Sequence, residues 1–167
     1  MNIDELVHTY SDYLYRIAYG YVKDEQAAEE IVQDVFYKFY KTSAHFEGNA
    51  HIKTYFTRMI INRSYDYLRS WKHHKNTIFE VFHLSRPGVD KDVLQQSEAS
   101  TLFEAILTLP IKYRETIIFY YYEDLQIKEI ADMLHCAEST IKSRLQRGRA
   151  LLKTSLQDIE WEVLKHE

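Results

Sequence analysis

Apolar residues recur at intervals of three and four along almost the whole chain, the spacing of helices that bury one face. From Ile3 to Val22 the stripe is Leu6, Tyr10, Tyr13, Leu14, Ile17 and Tyr21, and Asn2 with Glu5 has the spacing of a capping pair. A second helix is expected after Lys23, with Asp24 as its N-cap, running to about Lys41 and burying Ala28, Ile31, Val32, Val35, Phe36 and Phe39. After a loop from Thr42 to His51, a third helix is expected from about Ile52 to Lys75, with Ile52, Phe56, Met59, Ile60, Tyr67 and Trp71 inward. Periodicity fades between Asn76 and Ser97, where Ser85-Arg86-Pro87-Gly88 breaks any regular element. It returns over Val93–Leu109 through Leu94, Leu102, Ile106 and Leu109. Pro110 then starts a helix over Ile111–Tyr122 that should bury Tyr113, Ile117, Tyr120 and Tyr121.

The stretch Asp124–Lys153 reads as two helices around a tight turn. Ile127, Ile130, Ala131 and Leu134 share one face of the first, and Ile141, Leu145, Gly148 and Leu152 share one face of the second. The second helix carries Lys142, Ser143, Arg144, Gln146, Arg147, Arg149 and Lys153 away from that face. This is the pattern of a helix-turn-helix, whose second helix fits the major groove. Ser, Gln and Arg can read base edges there while Lys and Arg meet phosphates. A solvated basic helix is the plainer explanation. Against it stands the concentration of charge: Glu138–Lys153 has five basic residues and one acid, in a chain of net charge -4. His135 falls where such turns favour a left-handed backbone and glycine.

With four Gly and two Pro in 167 residues, the chain is expected to be all-α, with two small helical domains joined by a flexible linker and the helix-turn-helix in the second. The boundaries read from the pattern are 1–75, a linker over 76–97, and 98–167. No apolar run reaches membrane-span length and the first residues lack the features of a signal peptide, so the expected location is the cytoplasm. Catalytic chemistry is not legible. There is no glycine-rich phosphate loop and no metal-binding histidine pair; Cys136 stands alone. Neither an enzyme, nor a cofactor, a metal or a small-molecule substrate is expected.

Two further charge patterns bear on function. The second helix presents Glu25, Glu29, Glu30, Gln33 and Asp34, an acidic ridge that either serves the helix dipole or docks on a basic protein surface. The third helix carries a polar stripe of Arg58, Asn62, Asp66, Arg69 and His73, followed by the basic Lys72 and Lys75. That stripe is either a solvated face or a nucleic-acid contact. Mild net acidity is unusual for a protein that must bind DNA alone, because phosphate neutralisation supplies much of the affinity.

Three segments in order carry a family resemblance. AAEEIVQDVFYKFYK (Ala27–Lys41), FEGNAHIKTYFTRMIINRSYDYLRSWK (Phe46–Lys72) and LTLPIKYRETIIFYYYEDLQIKEIADMLHCAESTIKSRLQRGRALL (Leu107–Leu152) resemble the extracytoplasmic-function group of bacterial sigma factors. The resemblance implies an alternative sigma factor that binds core RNA polymerase and directs promoter-specific initiation. It implies that Glu29, Glu30, Gln33, Asp34 and Phe36 meet the polymerase β′ coiled coil, and that the second domain meets the β flap. Asn62, Arg63 and Asp66, flanked by Arg58 and Arg69, match the promoter −10 reader. The loop containing Phe46, Gly48 and Asn49 matches the segment that captures an unpaired base. Lys142, Ser143, Gln146 and Arg147 match positions facing the −35 element, with Ser139, Thr140, Arg144 and Arg149 beside them. An anti-sigma protein, often membrane-tethered in this group, is a further implied partner. Tyr55 replaces a usual Trp, His135 a usual Gly, and Ser139 a usual Gly. The rival readings are a conventional helix-turn-helix regulator that acts without replacing sigma, and an adaptor working through the acidic helix.

Overall fold

The structure, a computed structural model, describes residues 3–42, 51–78 and 98–156. The side chains of residues 71–78 and 98–100 lie outside the description. All secondary structure among the described residues is helical, and the chain divides into two compact units, Met1–Arg86 and Pro87–Glu167.

The first unit is a bundle of α1 (Ile3–Val22), α2 (Glu25–Thr42) and α3 (Ile52–Ile78), each packed on the other two. α1 matches its expected span, α2 ends one residue beyond Lys41, and α3 runs three residues beyond Lys75. Asp24 caps α2: its Oδ1 accepts the Ala27 N–H at 2.8 Å. The core is aromatic. Phe56, fully buried, is met by the rings of Tyr10, Phe36 and Phe39 at centroid distances of 5.5, 5.3 and 4.8 Å. Tyr55, at the usual Trp position, meets Phe39 edge-on at 6.0 Å. Between α1 and α3 the Tyr13 hydroxyl lies 2.7 Å from Thr57 Oγ1, which itself donates to the Lys53 carbonyl at 2.7 Å. That relay lets two hydroxyls be buried without an unmet bond.

The second unit contains α4 (Glu98–Thr108), α5 (Ile111–Ile117), a π-helical turn over Ile118–Tyr122, α6 (Ile127–Leu134) and α7 (Glu138–Ser155). Residues 93–97 of the expected helix before Leu109 lie outside the described residues. The helix expected over Ile111–Tyr122 widens at Ile118: the Glu123 N–H donates to the Ile118 carbonyl at 3.1 Å, five residues back. Its burial also differs from expectation. Arg114 through Phe119 are all buried, whereas Tyr113, Tyr120 and Tyr121 are only half-buried. Packed against α4 and α7, the chain from Arg114 to Phe119 is buried at every successive position, so the three-four rhythm loses its meaning there.

Lys23, Asp124 and His135 hold left-handed backbones, with φ of 57°, 53° and 52°. Such a conformation costs a residue with a Cβ about 1–2 kcal/mol, partly recovered against glycine's greater freedom when unfolded. His135→Gly is therefore expected to stabilise the second unit by roughly 0.5–1 kcal/mol in urea unfolding; a destabilisation would show that the imidazole makes a compensating contact.

Candidate polymerase and nucleic-acid interfaces

On α2 the burial pattern separates two faces. Ala27, Ala28, Ile31, Val32, Val35, Phe36 and Phe39 are buried, and Glu25, Glu29, Glu30, Gln33 and Asp34 are exposed. The field of the ridge is felt next door. The Tyr15 phenol is pushed above its usual pKa, first by partial burial and then by the Glu25 and Glu29 carboxylates. Phe36, inward by its spacing and matched by the family resemblance to a polymerase contact, is a core residue at 8% exposure, its ring edge-on to Phe56. Its part is to hold the ridge from beneath.

The polar stripe of α3 stands where its spacing places it: Arg58, Asn62, Asp66 and Arg69 are exposed. Arg63 leans toward α2 instead. Its Nε and Nη2 donate to Asp34 Oδ2 at 2.8 and 2.6 Å, so a candidate polymerase residue and a candidate −10 residue hold each other. Asp66 and Arg69 pair one turn apart on the same helix. Asp34, Val35, Lys38, Met59, Asn62, Arg63 and Asp66 line a shallow cleft between α2 and α3. Phe46, Gly48 and Asn49 lie outside the described residues, as does the His73 side chain.

In the second unit the turn of the helix-turn-helix closes at His135, whose left-handed backbone (φ 52°, ψ 47°) lets the Cys136 N–H reach the Ala131 carbonyl at 3.0 Å. Upstream, the Glu129 carboxylate accepts the Gln126 N–H at 2.8 Å and fixes the start of α6. α7 buries Ile141, Leu145, Gly148 and Leu152, as its pattern requires. Ser139, Lys142, Ser143, Gln146 and Arg147 are exposed at spacings of three and four, forming a single stripe; Thr140 is half-buried beside it. The Ser143 hydroxyl donates to the Ser139 carbonyl at 3.0 Å.

Arg144 and Arg149 are turned inward. Arg144 Nη1 is 3.4 Å from Glu115 Oε1, with side-chain exposures of 25% and 4%. Arg149 Nε donates to the Tyr121 hydroxyl at 2.7 Å, and its guanidinium lies 5.9 and 5.7 Å from the centres of the Tyr120 and Tyr121 rings. These two arginines fasten α7 to α5 and the π-helical turn, leaving Lys142, Gln146 and Arg147 as its outward long polar side chains in the expected set. Sequence reasoning missed Glu115 and Tyr121, the groups that hold them. The only signal was a carboxylate on a helix otherwise read as core. Among the described residues, no three His, Cys, Asp or Glu side chains are grouped as a metal site.

The sigma-70 region 2 model matches residues 6–73, and the sigma-70 region 4 model matches residues 100–152. The chain is 28% identical over 166 residues to the extracytoplasmic-function RNA polymerase sigma factor SigW of Bacillus subtilis, covering 93% of this chain and 89% of that one. It is 27% identical over 149 residues to the extracytoplasmic-function sigma factor SigM of Mycobacterium tuberculosis, covering 89% and 74%. Among solved structures, it resembles the sigma factor RpoE in complex with the anti-sigma factor NepR from Bartonella quintana, at a TM-score of 0.76 and 22% identity over 94% of this chain and 98% of that one. CnrH in complex with the cytosolic domain of CnrY is similar at a TM-score of 0.65 and 18% identity, over 93% and 87%. At those identities the structural likeness establishes fold.

Proposed function

The chain belongs to the sigma-70 family, in its extracytoplasmic-function group, and from that membership we propose how its two units divide the work of promoter selection. It is an alternative sigma factor that directs RNA polymerase in transcription initiation. The factor itself breaks no covalent bond. Glu29, Glu30, Gln33 and Asp34 dock on a basic surface of core polymerase, the β′ coiled coil, while the second unit engages the β flap. Asn62 and its stripe on α3 meet the −10 element, and Phe46, Gly48 and Asn49 take an unstacked base. Ser139, Lys142, Ser143, Gln146 and Arg147 face the −35 duplex. The observation that carries this division is the separation of charge: the exposed run of α2 is acidic to Asp34, whereas α7 exposes a Ser/Gln/Lys/Arg stripe. The first suits protein and repels phosphate; the second suits a groove. Docking on polymerase also accounts for the net charge of -4, since polymerase can supply phosphate contacts that a free regulator would need for itself.

The solved relatives RpoE and CnrH are each held by another protein chain, in RpoE's case an anti-sigma factor. We infer an anti-sigma partner here too, membrane-tethered as is common in the group. No helix among the described residues is long and apolar enough to cross a membrane, which fits a factor working in the cytoplasm beside its polymerase.

Run-off transcription from genomic promoter fragments, with purified core polymerase and this chain, tests the reading. Promoter-specific transcripts that require the chain are expected. Tight operator binding without polymerase and no such transcripts would replace the reading with a conventional regulator. Arg147→Ala is expected to weaken −35 recognition by about 1–3 kcal/mol and to flatten discrimination at one base pair. A uniform loss across all −35 variants would make Arg147 a phosphate contact instead.

A further inference from the structure

Two kinds of contact hold α7, and they constrain it differently. The helix packs on α5 and α6 and buries Ile141, Leu145, Gly148 and Leu152. Apolar burial is non-directional, so it resists separation of the helices far better than it resists rolling of α7 about its own axis. At about 100° per residue, the four anchors fall within about 30° of one line along the helix. Arg144 falls about 70° to one side of that line and Arg149 about 70° to the other. The stripe of Ser139, Lys142, Ser143, Gln146 and Arg147 is centred opposite the anchors.

Both flanks are fastened, and to different elements. Arg144 Nη1 lies 3.4 Å from Glu115 Oε1 on α5, and that carboxylate is buried. Arg149 Nε donates at 2.7 Å to the hydroxyl of Tyr121 on the π-helical turn, where the Tyr120 and Tyr121 rings meet edge-on at 4.9 Å. The two attachments are five residues apart, about 7.5 Å along the axis. A roll in either direction pulls one arginine off its partner and drives the other into its partner. The size of the roll matters. A turn of about 20° carries a side-chain tip about 6 Å from the axis through about 2 Å, enough to break a hydrogen bond to a base edge. A buried carboxylate with an arginine is a poor source of stability, since desolvation offsets most of the attraction, and an apolar pair would pack as well. What an apolar pair lacks is direction.

We propose that Glu115 and Tyr121 are specificity-determining positioning residues for the −35 duplex. By holding Arg144 and Arg149 they fix the roll of α7, and with it the base-pair edges that Ser143, Gln146 and Arg147 meet. Neither touches DNA; each acts through its arginine. The proposal rests on the assignment of the α7 stripe to the −35 element.

The test uses holoenzyme reconstituted with the full chain, in competition binding over a promoter set that carries each single substitution of the −35 element. Tyr121→Phe, Glu115→Gln and the two combined are compared with Arg147→Ala. Thermal unfolding of each free chain sets a temperature at which the second unit is folded. The combined form is expected to lose about fivefold or more of its preference at several adjacent base pairs together, because three reading side chains move as one. Tyr121→Phe, which keeps the ring and loses only the hydroxyl, should show the same spread at about twofold or more. Arg147→Ala should flatten a single position. Affinity for duplex without a promoter should stay within about twofold in the combined form, since no group on the outward stripe has been removed. A folded combined form with unchanged preferences overturns the proposal. So does an equal loss across the whole set, which is what a merely structural role would produce. Should Glu115→Gln fail to fold, Tyr121→Phe decides by the same two criteria. If Arg147→Ala also leaves every preference intact, the −35 assignment of the stripe fails, and this inference with it.

Discussion

Replacing Glu29 and Glu30 together by lysine is expected to lower affinity for core polymerase by about a hundredfold or more and to leave the first unit folded. Both carboxylates are exposed, and the one bond described for Glu30 is a long one from Gln26 Nε2 at 3.4 Å. They sit past the first turn of α2, so their share in offsetting its dipole is small, and the stability cost of reversal is under about 1 kcal/mol. At the interface the sign is opposite and the size larger. Placing like charges against a basic docking surface costs several kcal/mol, and about 1.4 kcal/mol is a factor of ten. Asp34 is a less clean probe, because its substitution also releases Arg63. A fluorescence titration against core enzyme, with thermal unfolding of the free chain alongside, checks both halves of the expectation. Retention of core affinity within tenfold would mean that the ridge is not the docking surface.

What the sequence made legible follows from how much of each element is decided locally. α1, α2 and α3 have one wet face, so the spacing of Leu14, Ile31 or Phe56 identifies the inward side, and Asp24 marks a start that its carboxylate then occupies. The helix-turn-helix was legible for the same reason, down to the strained backbone at His135. α5 was not. From its fourth residue on, this short helix buries Arg114, Glu115, Thr116 and Ile117 in succession, and only the arrangement of its neighbours makes that affordable. The candidate site divides similarly. Exposure of Asn62, Gln146 and Arg147 follows from helical phase. The inward turn of Arg144, and the pairing of Arg63, depend on carboxylates 29 residues earlier in the chain, which no local pattern reveals. Phe36 matches a polymerase-contact position of the family, but its phase with Val32 and Phe39 already placed it within the core, where it lies.

The integrity of the −35 reader depends on one glycine more than on any of its polar residues. Gly148 lies inside α7, where glycine costs about 1 kcal/mol against alanine, so its presence calls for a packing reason. A Cβ there would stand 3.1 Å from Ile117 Cγ1, 3.3 Å from its Cδ1 and 3.6 Å from Tyr113 Cβ. Ile117 is fully buried and has no open side to move into. Alanine is therefore expected near break-even, its gain in helix propensity offset by the crowding. Valine adds two more carbons and should force α7 away from α5, at about 3 kcal/mol. A unit of some eighty residues has only about 4–12 kcal/mol in hand. Its unfolding midpoint should then fall by roughly 12–24 °C in Gly148→Val. Because the acidic ridge belongs to the other unit, core binding through that unit should survive while −35 discrimination is lost, the reverse of the Glu29/Glu30 result. A midpoint within about 4 °C of the unsubstituted chain would mean that the two helices can part without loss. α7 would then depend on Arg144 and Arg149, rather than on close approach, for its place.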